Sequence, residues 1–383
     1  MRKNSKHFLF LCLILWADIT VIKASEIPTL LWHHTFSHQI MSCKGLKNFS
    51  LKKDGQLIFP LQAVMTQNNL IFMNSSGKIF SKLPTNEYDQ VCLSDNGNFF
   101  GALKNGTFGI YNPKNNLQYQ IEINAIPFVA EHYICQISPF GDWFCIISWF
   151  TQTISFYSNT GRLMASHKGE DLKQSRIVFS KNNEWAAIHA PNWGQGNTRG
   201  YVQLFDRDGH RQYTFYHQGC NACLDMASDG QFLAIADEKC CYVINREGQL
   251  ILKTNVPRGI SKPAISNDGN YLTIASNTDH SISLWDIKQK KLEWSIKLDG
   301  FDTINSSFTG IDISGKERKV VVSERQHWSR KNSNSRLSVF NFLGEQEWQK
   351  QYSNSQIYPR FSEDGRCFLV FGDCDVFFMY WKK

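Results

Sequence analysis

A serine followed within a few residues by a tight Gly- or Asn-rich turn recurs eight times along this chain at nearly regular intervals. Successive serines are 38 to 48 residues apart in the numbering. A period of about 40–50 residues with several short strands per unit is typical of a β-propeller, in which four-stranded antiparallel blades surround an axis. The sequence therefore predicts an all-β propeller, and the eight serines are Ser50, Ser94, Ser138, Ser180, Ser228, Ser266, Ser314 and Ser362.

The clearest repeat unit spans residues 262–298. Four short segments of alternating apolar and polar residues are joined by turns, which is the pattern of half-buried strands in hairpins. Its first turn is the sequence SNDG at residues 266–269. Short polar side chains bond nearby backbone N–H groups there, and glycine accepts the positive φ that the turn requires. In the unit of Ser180 we expect Asn182-Asn183 to replace the glycine, because asparagine adopts this conformation more readily than most residues.

The two ends of the chain complement each other. The last unit, at Ser362, contains three predicted strands, whereas residues 30–34 form a spare strand that resembles the outer strands around Trp294 and Trp348. Pairing of this strand with the last unit would close the ring and remove exposed sheet edges. We therefore predict eight four-stranded antiparallel blades, with an N-terminal strand closing the last one. Seven blades is the alternative, if the weak unit around Ser50 is irregular.

The repeats resemble those of the WD40-like and PQQ-like repeat propellers over nearly all of residues 27–383. Leu284-Trp285-Asp286 is similar to the WD40 signature strand, and the stretch from Asp286 to Trp294 is similar to the quinoprotein-type repeat. No Gly-His dipeptide precedes the inner strands, so we do not expect the hydrogen-bond network of typical WD40 repeats. The resemblance implies a fold superfamily and not a function.

Residues 1–24 have the layout of a secretory signal. Basic residues at the start are followed by an apolar run from Phe8 to Trp16 and by the small residue Ala24. The run is too short to cross a bilayer comfortably. We therefore expect a signal peptide at residues 1–24, a single propeller domain at residues 25–383, and export to the periplasm or the cell exterior. An uncleaved N-terminal segment, which would be the protein's contact with a membrane, is the alternative.

The charge of the chain argues against nucleic-acid binding. The formal net charge of +7 falls to +4 when residues 1–24, with four cations and one anion, are removed. This is too small a surplus for a protein dedicated to a polyanion. A content of 14% aromatic and 20% charged residues suits a well-packed β protein instead.

One face of the predicted ring carries irregular loops. It is the face formed by the turns between strands two and three and by the links between blades, here termed the loop face. Irregular loops on a rigid scaffold are common binding sites, and exposed Trp and Arg are typical interface anchors. We expect long loops at residues 190–200 and 324–332, unless their tryptophans fold back to cap the blades. The candidate binding residues are Trp149, Trp193, Arg199, Arg325, His327, Trp328, Arg330 and Lys331.

Ten cysteines follow residue 24, and six of them form suggestive groups. Cys220 and Cys223 enter blade five, and Cys240 and Cys241 lie at a turn of the same blade. These four are candidates for disulfides, for free thiols, or for a metal or redox site, although their spacing is not that of a zinc ribbon. A second candidate disulfide, between Cys43 and Cys374, would link the first and last blades and so close the ring covalently.

Linear catalytic motifs are absent from the sequence. It has no GxSxG elbow, no HExxH and no complete phosphate-binding loop. We therefore predict no catalytic residue, no cofactor and no metal ligand, and expect an exported scaffold that binds a protein partner through the loop face. The alternatives are a quinone- or metal-dependent propeller enzyme with its site at the axial mouth, and a carbohydrate-binding propeller.

Overall fold

Every regular element described in the chain is a β-strand. The computed structural model describes residues 28–35, 40–44, 50–51, 57–58, 62–66, 69–73, 78–84, 88–123, 133–191, 199–256, 261–298, 306–327, 333–353, 356–362, 365–371 and 375–381. In this part of the chain no helix has the length and apolar character needed to cross a membrane.

The strands form eight four-stranded antiparallel sheets, the blades, and one small two-stranded sheet. The strands of blades one to three are β2 (Ile40–Lys44), β5 (Gln62–Thr66), β6 (Asn69–Met73) and β7 (Ile79–Pro84); β8 (Gln90–Leu93), β9 (Phe100–Lys104), β10 (Thr107–Tyr111) and β11 (Leu117–Glu122); β12 (Tyr133–Ile137), β13 (Trp143–Ser148), β14 (Thr153–Ser158) and β15 (Leu163–Lys168). Those of blades four to six are β16 (Arg176–Phe179), β17 (Trp185–Ala190), β18 (Tyr201–Asp206) and β19 (Arg211–Tyr216); β20 (Cys223–Met226), β21 (Phe232–Ala236), β22 (Cys240–Asn245) and β23 (Leu250–Asn255); β24 (Ser261–Ile265), β25 (Tyr271–Ser276), β26 (Ser281–Asp286) and β27 (Lys291–Lys297). Those of blades seven and eight are β28 (Ser306–Ser314), β29 (Lys319–His327), β30 (Ser333–Asn341) and β31 (Gln346–Ser353); β32 (Tyr358–Phe361), β33 (Cys367–Phe371), β34 (Asp375–Trp381) and β1 (Pro28–Thr35).

The N-terminal strand completes the last blade, as predicted. β1 pairs antiparallel with β34, with Thr29 opposite Tyr380 and His34 opposite Val376. Eight blades closed in this way confirm the predicted fold, because the first and last strands of the described chain belong to one sheet.

The serine turns lie between the first and second strands of the blades. In blade six the Tyr271 N–H donates to Ser266 Oγ at 3.0 Å, and the Gly269 N–H donates to the Ser266 carbonyl oxygen at 2.8 Å. Gly269 has a φ of 69°, and Asn183 has a φ of 70° in its place in blade four, as expected. The serine hydroxyl accepts the N–H of the residue five positions later in four further blades, at Ser94, Ser138, Ser180 and Ser362.

Two of the eight predicted serine turns are wrong in detail. In blade five the turn position belongs to Ala227, which exchanges backbone bonds with Phe232 and Gly230, and Ser228 follows one residue later. In blade one Ser50 begins an inserted hairpin of β3 (Ser50–Leu51) and β4 (Leu57–Ile58) instead of a tight turn. Both departures follow from using the serine as the marker, since the backbone of the turn does not require it.

The hydrophobic core of the described chain is divided among the gaps between blades. Seven clusters of buried side chains join blade one to two, two to three, and so on to blade eight. Between blades three and four, the buried Trp143 packs edge-on against Phe179, with ring centroids 4.9 Å apart, and its Nε1 donates to the Asn183 carbonyl oxygen at 2.9 Å. Each blade is therefore stabilised by its neighbours, which makes the ring a rigid support for its loops.

Polar contacts tie the inner strands of successive blades together. Asp225 Oδ2 accepts the N–H of Ile265 in the next blade at 2.9 Å, and Asp312 Oδ2 accepts the N–H of Phe361 at 2.8 Å. The first strands of neighbouring blades also contact one another, as β20 does β24. These strands line the axis of the ring.

Candidate functional site

The long loop predicted in blade four is present on the loop face. It connects β17 to β18 and spans residues 191–200, of which 192–198, including Trp193, lie outside the described residues. Both ends of the loop are fixed. Pro191 is buried, the Gly200 N–H donates to the Gly219 carbonyl oxygen at 2.7 Å, and the His217 N–H donates to the Gly200 carbonyl oxygen at 3.0 Å. Arg199 is exposed beside this anchor.

The second predicted loop is shorter than expected. β29 continues to His327 and pairs with β30, which begins at Ser333, so residues 324–327 belong to a strand instead of a loop. The strand pairing places Arg325 opposite Ser335, and its Nη1 donates to Gln356 Oε1 at 2.8 Å. Sequence reasoning missed this because polar residues near a hairpin tip resemble a loop. Trp328, Arg330 and Lys331 lie outside the described residues.

Trp149 caps the junction of two blades. Its side chain is half-buried against the core cluster between blades three and four. Lys173 Nζ lies 5.3 Å from the centre of its ring, a cation–π distance. The structure thus favours the capping interpretation of Trp149 and leaves the neighbouring Phe150 as the more accessible aromatic residue, with 50% of its surface exposed.

Four aromatic side chains lie on the loop face at blades three and four, and we term Trp149, Phe150, Tyr201 and Tyr216 the aromatic patch. Tyr216, at the end of β19, is 67% exposed, and its ring centroid lies 6.1 Å from that of the buried Tyr201. Tyr201 Oη accepts the N–H of Glu170 at 3.0 Å, which holds the ring in place. A cavity of about 400 Å³ adjoins the patch, lined by Lys168, Gly169, Glu170, Tyr201, Gln203, Arg211, Tyr213, Thr214 and Tyr216.

Sequence reasoning missed Tyr216, although the alternation of side chains along its strand indicates that it is exposed. Tyr213 and Phe215 pack against the cluster between blades four and five. Because side chains alternate along a strand, Tyr216 must point the other way.

The four cysteines of blade five do not form a single cluster. Cys240 packs between blades four and five, whereas Cys241 packs between blades five and six, because adjacent residues of β22 point to opposite faces of the sheet. Cys220 and Cys223 are half-buried, and all four are free thiols in this structure. A structural disulfide across these loops stays a prediction. The proposed Cys43–Cys374 pair cannot be placed, since Cys374 lies outside the described residues.

A buried histidine–carboxylate contact supports the loop face at blade five. His217 Nδ1 lies 3.3 Å from Asp237 Oδ2, and neither side chain is exposed. Burial acts to raise the pKa of Asp237, but the contact with His217 and N–H groups donated by Cys240, Lys239 and Gly219 lower it to about 2. The absence of a Gly-His dipeptide before the inner strands therefore did not preclude a buried histidine–carboxylate pair.

His189 lies beside this pair, with its ring tilted against that of His217 and the two centroids 5.2 Å apart. Burial lowers its pKa to about 3, and the nearby His217 and Arg176 act in the same direction. Within the described ranges no group of three or more His, Cys, Asp and Glu side chains is arranged to hold a metal ion.

Solved structures similar to this one are propellers of the WD40 type. The Dos1 propeller has a TM-score of 0.60 at 15% identity, covering 93% of this chain and 96% of that one. The C-terminal WD40 domain of Sif2 has a TM-score of 0.61 at 13% identity, covering 93% and 98%. The WD40 domain of SCAP from fission yeast has a TM-score of 0.59 at 11% identity, covering 94% and 99%. No family model matches the sequence, and no curated protein matches it either.

The chain therefore has a WD40-like propeller fold along nearly its whole length, and the sequence-based recognition of that fold is confirmed. At these identities the likeness concerns the fold, and function has to be argued from the surface.

Proposed function

We propose that this propeller is a protein-interaction scaffold whose partner binds the loop face at blades three and four. The observation that carries the proposal is the exposure of two large aromatic side chains, Phe150 and Tyr216, on the same side of the ring as the blade-four loop. Aromatic residues are enriched at the energetic centres of interfaces, because they bury large areas with few rotatable bonds.

The support beneath these side chains favours binding. Trp149 and Tyr201 belong to the core between blades three and four, so the exposed rings stand on a packed base. The blade-four loop is held at both ends by Pro191 and Gly200. A surface organised before binding loses less conformational entropy when it captures a partner.

Charge and polarity around the patch suit a protein partner. The exposed cations Lys173 and Arg199 border it, and Glu170 lines the adjoining cavity. A largely aromatic centre with a charged rim is the usual composition of a protein interface. Trp193, from the same loop, is proposed to complete the surface.

Combined replacement of Phe150 and Tyr216 by Ala should weaken partner binding at least about tenfold, because two exposed anchors are lost. A photo-cross-linking amino acid at position 150 or 216 should identify the partner in extracts, and titration with the purified partner then measures the loss. The melting temperature should be unchanged, since neither side chain is part of the core.

The matched control is Leu343→Ala on the opposite face, where the side chain is 76% exposed in the turn between β30 and β31. It should leave affinity unchanged, and a cross-linker at position 343 should not trap the same partner. Equal affinities of the partner for the wild type and the Phe150→Ala/Tyr216→Ala variant would exclude this surface as the binding site.

Export is proposed as the setting for this interaction, on the basis of residues 1–24. Their basic start, apolar run and small residue at position 24 are typical of a cleaved signal. Expression of the full chain in a secretion-competent host should yield a mature protein that begins at Ser25, as measured by intact mass. Retention of Met1 to Ala24 on the purified protein would contradict cleavage.

A further inference from the structure

A cavity of about 380 Å³ lies among the innermost strands of blades four to eight, and we term it the axial cavity. Sites for small molecules commonly have volumes of about 300–1,000 Å³. Its lining comes from β16, β20, β24, β28 and β32, and consists of Arg176, Ile177, Val178, Cys223, Leu224, Asp225, Lys262, Pro263, Thr309, Gly310, Ile311, Tyr358 and Arg360.

Positive charge dominates this lining. Arg176, Lys262 and Arg360 are opposed by one carboxylate, that of Asp225, which leaves a net formal charge of +2. Asp225 Oδ2 is engaged by the Ile265 N–H at 2.9 Å. No ion pair of the described residues includes any of the three cations.

The cations are fixed by backbone carbonyl groups of adjacent blades. Arg176 Nη1 donates to the Ala222 oxygen at 3.2 Å, and Arg360 Nη1 donates to the Ile311 oxygen at 3.1 Å. Lys262 Nζ donates to the Thr309 oxygen. Each of these bonds uses only part of the side chain's donors, since a guanidinium has five and an ammonium three. The remaining donors are available to a ligand.

The surplus of positive charge in the cavity affects the pKa of Lys262. Burial lowers the pKa of Lys262, and the positive charges of Arg360 and Arg176 lower it further, while the Cys223 thiol acts in the opposite direction. Cations that disfavour one another's charge at a shared cavity are stabilised by a bound anion. Asp312 and Lys181 line a small adjoining pocket and cancel in charge.

We propose that the axial cavity binds a small dianionic oxyanion, phosphate or a phosphate monoester, through Arg176, Lys262 and Arg360. The charge of such a ligand matches the surplus of the lining, and two planar guanidinium groups on different blades suit the tetrahedral arrangement of its oxygens. Tyr358 and Pro263 offer apolar surface to the organic part of an ester. This site is independent of the aromatic patch.

The test uses inorganic phosphate, glycerol 3-phosphate and succinate as probes, in calorimetry at low ionic strength. We expect inorganic phosphate to bind with a Kd of about 1 mM or below. Tighter binding of glycerol 3-phosphate would identify an ester as the ligand, and equal binding would identify free phosphate. Absence of phosphate binding, or succinate binding as tight as that of phosphate, overturns the proposal.

Variants assign the binding to the cavity. Lys262→Gln and Arg360→Gln should each weaken phosphate binding at least about tenfold, because each removes a charge-assisted contact. Lys291→Gln removes an exposed cation from the outer strand of blade six, the blade that contains Lys262, and should have no effect on phosphate binding. Equal affinity in all three variants would place the phosphate elsewhere.

A measurement on the unaltered protein covers the case in which the variants do not fold. Cys223 lines the cavity, and its Sγ lies 3.3 Å from Arg176 Nη1. Phosphate should slow the alkylation of Cys223 by iodoacetate under reducing conditions, as followed by peptide mass spectrometry. Alkylation at an unchanged rate in saturating phosphate contradicts the site.

Discussion

Replacement of Glu324 by Ala should lower the free energy of unfolding by about 3–5 kcal/mol, which is the usual cost of removing one partner of a buried ion pair. Glu324 is fully buried, and its carboxylate accepts from Arg336 Nε at 2.6 Å and from Arg336 Nη2 at 3.0 Å. His280 Nε2 lies 2.5 Å from Glu324 Oε1. The Glu324→Ala change removes the carboxylate that pairs with the nearly buried Arg336 guanidinium. Urea unfolding measures the resulting loss of stability.

Two control variants test the electrostatic origin of this loss. The pair Glu324→Leu with Arg336→Met should recover most of the stability, because apolar side chains can replace a buried ion pair without leaving a charge unpaired. Glu293→Ala, at the exposed Lys291–Glu293 pair, should change stability by less than about 1 kcal/mol. If Glu324→Ala unfolds at the same urea concentration as the wild type, the Glu324–Arg336 pair contributes nothing to the stability of the protein.

Lowering the pH from 7 to 5 should reduce the free energy of unfolding by about 2 kcal/mol through His189 alone. The pKa of His189 is lowered from an ordinary 6.5 to about 3 in the folded protein. Below pH 6.5 the unfolded chain therefore binds a proton that the folded chain does not. The stability due to the neutral histidine is present above 6.5 and is lost progressively as the pH falls toward 3.

The carboxylate of Asp237 acts in the same direction but in a lower window. Its pKa is lowered from 3.8 to about 2, so its contribution is lost only below about pH 4. Measurements between pH 7 and 5 thus separate the contribution of His189 from that of Asp237. His189→Gln should flatten the dependence in this interval, whereas His210→Gln, an exposed histidine in the same blade, should preserve it. A wild-type stability that is constant from pH 7 to 5 would be inconsistent with a neutral buried His189.

The fold could be predicted from the sequence because it depends on local signals that repeat. The turn at Ser266 is specified by residues within five positions of one another, and the same contacts recur in blade after blade. The N-terminal strand was recognisable by its likeness to the strands around Trp294 and Trp348. The serine marker failed in two places. At Ser228 the backbone pattern of the turn is kept without a serine in the turn position. At Ser50 an inserted hairpin interrupts the pattern.

The candidate sites were only partly predictable. The sequence predicts the loop of blade four, which the structure has, but it also predicts a loop at Arg325, where the structure has a strand. Sequence alone does not show how far a hairpin extends. The three cations of the axial cavity were missed. Their signal was positional: Arg176 and Lys262 both stand four residues before their serine, and Arg360 stands two before, a spacing that directs all three to one face of the inner strands.

The sequence by itself determined the number of blades, the closure of the ring and the face on which the blade-four loop lies, because turn chemistry and strand alternation are local properties. Only the tertiary structure decided which polar residues meet. Arg176, Lys262 and Arg360 are distant in the chain and share a cavity because the ring brings their strands to one axis. Glu324 lies against His280 because blades six and seven pack face to face, and no spacing along the chain encodes that contact.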